Sequence, residues 1–513
     1  MRRSASWRWR TKSGRESRYS MRAASPDRQV TLGAIPTFHL PDLSGLAEGV
    51  VAGPEREARL ETTYYDTVEL RLARWGVSLS HHGDRWLLTI PNGGGRGASE
   101  LAFAGATRRP PDGALALIRV YVRGAPLEPV ARLSSWRRQV ALVDGTGHRL
   151  AEVVDDEVSV LSGRRVAARF REVEVDLAPG ADELLDSLLE RLQRAGAVRA
   201  ERTPPYLRAL GPAAQADPDV VVPVLPAQPI AADVVRAALA AGVRLVLRYD
   251  PLVRLGGDPE HVHQARVGTR RLRSHLRTFR PLLDRAWADS LRDELGWLAG
   301  ELGPVRDGEV LHERLLVLMG SLPAVDVRPA AGLADRLTAD VAAARTRLLE
   351  GMSTQRYFDL VDRLVAAAAR PELNEAAERP AAEALPALVV KPWRDLRRAV
   401  RALDEHSPDE ELHRVRILAK RVRYASEAVA PAVGPEATRF GKLAAALQEV
   451  LGDHQDSVTM QGWLRGTATS RRRAFVAGEL CAVEAERAEA SRERWPAAWH
   501  ELDRRRAREW IRS

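Results

Sequence analysis

Cysteine is almost absent: Cys481 is the only one in 513 residues. A single thiol excludes a disulfide framework within the chain, makes a disulfide-linked partner unexpected, and fits a reducing cytoplasm. It cannot build a structural zinc site, and the pairs His81-His82 and His261/His263 have no companion carboxylates at ligand spacing. No run approaches the roughly 18 apolar residues that a membrane-crossing helix needs. Also missing are a Gly-x-x-x-x-Gly-Lys-Ser/Thr phosphate loop, a His-Glu-x-x-His helix and a Gly-x-Ser-x-Gly elbow. The glycines at Gly93 to Gly97 read as a hairpin connection.

Positive charge is what the chain has in excess. Lysine and arginine total 78 against 69 acidic residues, a formal charge of +9, with a sequence pI near 10.0. That balance favours an anionic partner: nucleic acid, polyphosphate or an acidic membrane surface. The hydrophobic share of 45% and charged share of 29% are ordinary for globular material, and the length suits two to four domains. The first twenty residues are rich in Arg and Ser without an apolar core, so they do not read as a secretory signal. Residues 1–26 are expected to be a disordered basic tail, or in part the product of a start placed upstream of Met21.

Residues 27–209 read as a front α+β domain. Period-two segments at Glu61-Asp66, Arg85-Ile90, Trp136-Val143, Arg149-Val154 and Ala168-Asp176 predict an antiparallel sheet, closed or strongly curved. Asp144-Gly145 predicts a hairpin turn. One amphipathic helix is expected from Asp182 to Ala195, stopped by Gly196. Residues 210–230 are a Pro/Ala-rich linker. Residues 231–505 change to long Ala/Leu/Arg-rich helices without strands. A proline-rich break from Arg370 to Pro392 divides them into halves of about 231–370 and 392–505.

Those halves carry two copies of one signature, about 150 residues apart. The first is His263-x-x-Arg266-Val267-x-x-Arg270-Arg271-Leu272-Arg273, the second His413-x-x-Arg416-Ile417-x-x-Lys420-Arg421-Val422-Arg423. Each is followed, roughly thirty residues on, by a Leu-Gly pair and an aspartate: Leu302-Gly303 with Asp307, then Leu451-Gly452 with Asp456. A duplication predicts two similar units about a pseudo-twofold axis. At about 100° per residue, His263, Arg266, Arg270, Arg273 and Arg277 share an arc of roughly 80°, as do His413, Arg416, Lys420 and Arg423. Arg271 and Arg421 flank the stripes. Val267, Leu272 and Leu276, and Ile417, Val422 and Tyr424, are left for packing. Like charges at these spacings repel by a few tenths of a kcal/mol per pair. Few carboxylates intervene, which favours a bound anion over a solvated face. A histidine beside a phosphate would gain charge. Gly303 and Gly452 are expected to permit a bend or close helix approach, and Asp307 and Asp456 to pair with an arginine or cap a helix. Arg306 and Lys442 are further candidates for anion contact.

The stretches His263–Phe279, Leu302–Leu311, His413–Tyr424 and Leu447–Asp456 resemble the CHAD family, an α-helical domain named for its histidines. The resemblance spans residues 231–505. It implies an all-α domain of two pseudo-symmetric four-helix bundles whose shared basic cleft binds inorganic polyphosphate, lined by the residues named above. Guanidinium groups suit phosphate because they donate two parallel hydrogen bonds.

The front domain resembles a CYTH domain, through Tyr64-Tyr65-Asp66-Thr67, the run from Leu70 through Trp75-Gly76-Val77 to Leu79, Trp86–Ile90 and Phe170–Val175. That resemblance implies a triphosphate-tunnel barrel of eight antiparallel strands in which carboxylates hold Mg²⁺ or Mn²⁺. Here the family's opening Glu-x-Glu-x-Lys becomes Asp27-Arg28-Gln29-Val30-Thr31, and its later basic positions become Ser80-His81-His82, Pro91-Asn92 and Pro205-Tyr206. Glu172, Glu174 and Asp176 still alternate onto one strand face, so Glu172 and Glu174 are candidate metal ligands. Phosphoryl transfer also needs the positive clamp, so a degenerate, scaffolding domain that requires no cofactor is expected. Arg137 and Arg138 persist. The chain therefore reads as a non-catalytic polyphosphate-binding protein of the cytoplasm, acting at polyphosphate granules. A metal-dependent triphosphatase and a nucleic-acid binder are the alternatives. The second is disfavoured because the stripes offer few aromatics for stacking.

Overall fold

Alternation of apolar and polar residues along the front of the chain builds a single antiparallel sheet. The computed structural model describes residues 6–10, 16–22, 28–35, 37–94, 97–199, 203–404, 406–467 and 470–512. The chain divides into two units, Met1–Asp219 and Val220–Ser513. The boundary falls inside the proline-rich stretch at 210–230.

In the first unit the strands are β1 (Ser6–Arg10), β2 (Glu16–Arg22), β3 (Arg28–Ala34), β4 (Val51–Ala52), β5 (Arg56–Asp66), β6 (Ser78–His82), β7 (Arg85–Pro91), β8 (Ala98–Ala104), β9 (Glu128–Val143), β10 (Arg149–Ser162), β11 (Arg165–Leu177) and β12 (Ala197–Arg199). They lie in the order β1-β2-β8-β7-β6-β5-β9-β10-β11-β3-β12, with β4 on β9. This antiparallel sheet is compatible with a tunnel-type barrel. It has twelve strands instead of eight because β1 and β2 extend it beyond β8, and the short β12 and β4 add to β3 and β9. Those two strands occupy part of the stretch expected to be disordered: Trp7 and Trp9 alternate with arginines in β1, as a strand favours. The rest of that tail, and Asp27, lie outside the described residues.

Short helices α1 (Arg71–Arg74), α2 (Asp112–Val122), α3 (Leu184–Arg194) and α4 (Pro205–Leu210) accompany the sheet. Only α3 was expected. Helix α2 is hidden in sequence because Ile118, Val120, Tyr121 and Val122 are β-formers and all are buried, leaving no polar stripe of helical period. Val173, Val175 and Leu177 of β11 point into a core closed by Leu188 and Leu192 of α3. The alternate residues Glu172, Glu174 and Asp176 take the opposite face.

The second unit is helical: α5 (Ala231–Leu255), α6 (Pro259–Thr278), α7 (Arg285–Met319), α8 (Ala324–Met352), α9 (Gln355–Ala369), α10 (Ala381–Ala384), α11 (Ala387–Arg401), α12 (Asp409–Val433), α13 (Pro435–Thr467), α14 (Arg471–Asp503) and α15 (Arg505–Arg508). The second half starts at Ala387, not at residue 392. Pro392 is carried inside α11, so the break closes at Pro386. The two copies are α5–α8 and α11–α14. Helix α6 packs on its counterpart α12, and α8 on its counterpart α14. Like-on-like pairing is what a twofold relation requires. Leu315, Leu318, Leu333 and Leu337 from the first half share one core with Met460, Leu464, Val476 and Leu480 from the second. That common core holds the halves together through α7, α8, α13 and α14.

Candidate anion-binding site

Helix α6 starts at Asp258, whose carboxylate accepts from the Glu260 amide at 2.8 Å, and it buries Val262, Ala265, Gly268, Thr269, Leu272 and Leu276. Helix α12 buries the equivalent face through Leu412, Val415, Leu418, Ala419 and Val422. Both charged stripes are thereby turned away from the cores of their own halves. Val267 is half-buried and Ile417 is 38% exposed, where both were expected to pack. At position +4 from each histidine they border the charged arc instead of the apolar one.

The two stripes converge. Burial first, then the guanidiniums of Arg270, Arg416, Arg266 and Arg273, push the Lys420 amine down to about 7. Three of those four arginines belong to α6 and one to α12, so a single lysine registers both copies. Burial, then Arg306, with Arg270 and Arg266 contributing, lowers the His263 pKa against the opposing pull of Glu260. Burial and the neighbouring guanidiniums therefore disfavour the imidazolium. Burial, with Arg421, Arg292 and Arg273, also lowers the Arg277 pKa. These are the marks of like charges crowded together.

Some stripe cations have carboxylate partners. Arg266 donates to Asp307 at 3.2 Å, Arg423 to Glu427 at 2.7 Å, and Arg306 lies 3.6 Å from Glu309. The inner group differs. The Nε atoms of Arg270, Arg273 and Arg416 and Nδ1 of His413 are buried without a hydrogen-bond partner. An unsatisfied buried donor costs about 1–3 kcal/mol, and such groups in a native fold call for an explanation. An anion supplies one.

The Leu-Gly-Asp segments set the floor. A side-chain carbon at Gly303 would stand 3.8 Å from the Arg266 guanidinium, and one at Gly452 would stand 3.6 Å from Arg416 Nε. Each glycine thus lies beneath the equivalent arginine of its own copy, at ordinary van der Waals distance. Asp456 is held above the usual carboxylate range by burial first, and Asp453 and Asp307 add to the rise while Arg416 and Arg314 oppose it. Asp307 and Asp456, one from each copy, are therefore electrostatic neighbours. Sequence reasoning missed Arg314 and Arg292, because neither lies within the repeated signature.

Other named residues are placed differently. Lys442 and Arg421 are exposed. Arg271 lines a separate cavity of about 410 Å³ together with Ala237, Ala238, Ala241 and His275. Tyr424 is 4% exposed, with Arg270 and Arg423 over its ring at 5.7 and 5.5 Å from the centroid. Its π-face is taken by cations and is not open to a nucleobase.

In the first unit, Arg137 forms a two-point pair with Asp156, Nε to Oδ1 at 2.9 Å and Nη2 to Oδ2 at 2.6 Å. Arg208 of α4 donates to Glu172 at 3.1 Å and lies 3.9 Å from the Phe170 ring. Tyr206 stacks on Tyr64 with centroids 5.1 Å apart. Leu133, Val158 and Val160 form an apolar cluster against Tyr64 and Phe170. Among the described residues no group of three or more His, Cys, Asp or Glu side chains is arranged to hold a metal ion. Glu172 is bridged to Arg208, and Glu174 is pushed up to about 7, by burial first and then by Asp176.

The CHAD domain family matches residues 237–465, which contain both signatures and both Leu-Gly-Asp segments. The chain belongs to the CHAD-domain proteins. Within the CHAD match fall α6, α7, α12 and all but the last two residues of α13. Over 510 residues the CHAD-domain chain is 32% identical to Uncharacterized protein MT2285 of Mycobacterium tuberculosis (strain CDC 1551 / Oshkosh), covering 91% of this chain and 95% of that one. Two solved structures are similar to part of it. PptA from Streptomyces chartreusis shares 27% identity at a TM-score of 0.45, covering 53% of this chain and 99% of its own. The CHAD domain from the plant Ricinus communis shares 26% at a TM-score of 0.44, covering 55% and 96%.

Proposed function

We propose that the helical unit binds inorganic polyphosphate along the trough where α6 and α12 meet, and that this anchors the protein at polyphosphate granules. The observation that carries the reading is the crowding of Lys420 by arginines from both copies, beside three buried guanidinium Nε atoms that no protein group satisfies. A chain of phosphates supplies closely spaced charge of the required sign, and its oxygens accept the paired hydrogen bonds that guanidinium offers. Polyphosphate also lacks bases, which suits a trough whose nearest tyrosine ring is already covered.

The front unit serves in this reading as a scaffold. Its carboxylates are partly spent on Arg137 and Arg208, and no step of phosphate hydrolysis is assigned to it. No helix among the described residues is long and apolar enough to cross a membrane.

The test is a titration of the full chain with polyphosphates of graded length at two salt concentrations, with RNA as competitor at equal phosphate concentration. By analogy with single-stranded nucleic acids, each phosphate contact should contribute about −0.7 to the slope of log affinity against log salt. Steep salt dependence with polyphosphate displacing RNA supports the proposal. Displacement of polyphosphate by RNA would replace it with nucleic-acid binding.

A further inference from the structure

The chain uses arginine almost exclusively: of its 78 basic residues only four are lysines, Lys12, Lys391, Lys420 and Lys442. One of the four stands where the copies converge. Lys420 is the counterpart of Arg270, and it is the one changed charge in the signature: His263/His413, Arg266/Arg416, Arg271/Arg421 and Arg273/Arg423 are all preserved. For holding an anion the exchange loses the bidentate fork. What it gains is an amine.

We propose that Lys420 is an acylation site for small acyl phosphates, which the arginines of both copies draw to its side. This inference rests on the trough being an anion site. Arg266, Arg270, Arg273 and Arg416 crowd the lysine, and three of them have buried Nε donors without partners. No ion pair to a carboxylate holds the ammonium among the described residues, whereas Lys391 pairs with Asp395 at 2.6 Å. Lys420 is half-buried and so remains reachable, while Lys442 is exposed.

The guanidiniums have two effects. They bind the phosphoryl end of the donor, fixing its carbonyl carbon near the amine. They also oppose protonation, as neighbouring cations do for catalytic lysines; with the amine pushed down to about 7, roughly half of it is unprotonated at neutral pH. The Nζ lone pair attacks the carbonyl carbon of the acyl phosphate and a C–N bond forms. The C–O bond to phosphorus's oxygen breaks, phosphate leaves with that electron pair, and the surplus proton on nitrogen passes to phosphate or water. No electron donor or acceptor is needed. The product amide cannot take up a proton, so the trough loses a group able to become a cation when a phosphate chain binds. A long polyphosphate, by occupying every arginine, would both block the donor and restore the ammonium.

The experiment is acetylation of the full chain with acetyl phosphate at neutral pH, followed by peptide mass spectrometry of all four lysines. Lys420 should be modified several-fold faster than Lys391, whose side chain is 81% exposed, and faster than Lys442. Excess polyphosphate should suppress Lys420 alone, and Arg270→Gln should slow Lys420 without slowing Lys391. The uncharged N-hydroxysuccinimidyl acetate should show a smaller preference for Lys420. Equal or faster modification of Lys391 or Lys442 overturns the proposal, as does a Lys420 preference that is the same for both reagents. A polyphosphate titration of the same preparation separates the two readings. Tight polyphosphate binding without Lys420 selectivity removes this inference alone; absence of polyphosphate binding removes the trough itself.

Discussion

Arg314 of α7 reaches across the pseudo-twofold relation to Glu484 of α14, with its Nε 3.0 and 3.1 Å from the two carboxylate oxygens. Its Nη2 also donates to Ser457 of α13 at 2.6 Å. Glu484 is fully buried, and Arg487 adds a second cation at 3.0 Å. The pair thus joins the halves beside their shared core. Glu484→Ala leaves the Arg314 guanidinium without its carboxylate partner in a largely desolvated place. Removing one partner of a buried pair costs about 3–5 kcal/mol. Urea unfolding of Glu484→Ala should show a loss of that order, and a loss below about 1 kcal/mol would show that solvent already reaches the pair.

Charge reversal at the centre of the trough should remove binding without removing the fold. Arg270 and Lys420 face away from the buried stripes of α6 and α12, so Arg270→Glu with Lys420→Glu leaves both apolar faces untouched. The double variant should lose measurable polyphosphate affinity while its helical circular dichroism stays at the level of the parent. Loss of helicity would show that these side chains belong to the packing.

Glu427 is an internal competitor. It accepts from Arg423 at 2.7 Å, and the first copy has Arg277 at the matching position, so Arg273 meets no such carboxylate. Glu427→Gln should release Arg423 to the ligand. An exposed pair of this kind is worth about 0.2–1 kcal/mol, so isothermal titration should show affinity for polyphosphate rising by a factor of about 1.4 to 5. Unchanged or weakened binding would place Arg423 outside the ligand's path.

Much of this was legible in the sequence, for identifiable reasons. The repeated signature revealed the duplication because both copies keep the same cations at helical spacing, and helical geometry then put them on one face. The segments around β7, β9, β10 and β11 could be read because one buried face forces strict alternation. Helix α2 was not legible because its buried residues include strand formers with no polar counter-stripe. Ile417 was misplaced because angular bookkeeping on one helix does not show where the neighbouring helix ends its cover. The Arg208–Glu172 and Arg137–Asp156 pairs join residues 36 and 19 positions apart. No local pattern announces such partners, so the carboxylates of β11 read as open ligands when Glu172 is already bridged.

Glu174 allows the character of that front face to be tested through stability, independently of any activity. Burial first, then Asp176, with Asp156 and Glu172 adding and Arg137 opposing, raises its pKa from 4.5 to about 7. Between those two values the folded chain keeps a proton that the unfolded chain has released, so stability falls as pH rises through that window and stays lowered above it. Below about pH 4 both states are protonated and the difference vanishes. Glu174→Gln removes the ionisable group while keeping its shape. Thermal unfolding should therefore show the variant more stable than the parent at about pH 8, with the gap closing toward about pH 4. A site built to hold a divalent cation would behave oppositely on adding Mg²⁺ or Mn²⁺: the parent would gain stability by mass action and the variant would not. Since Glu172 is already bridged to Arg208, addition of either ion should leave both melting curves where they were, and an upward shift confined to the parent would restore the metal site.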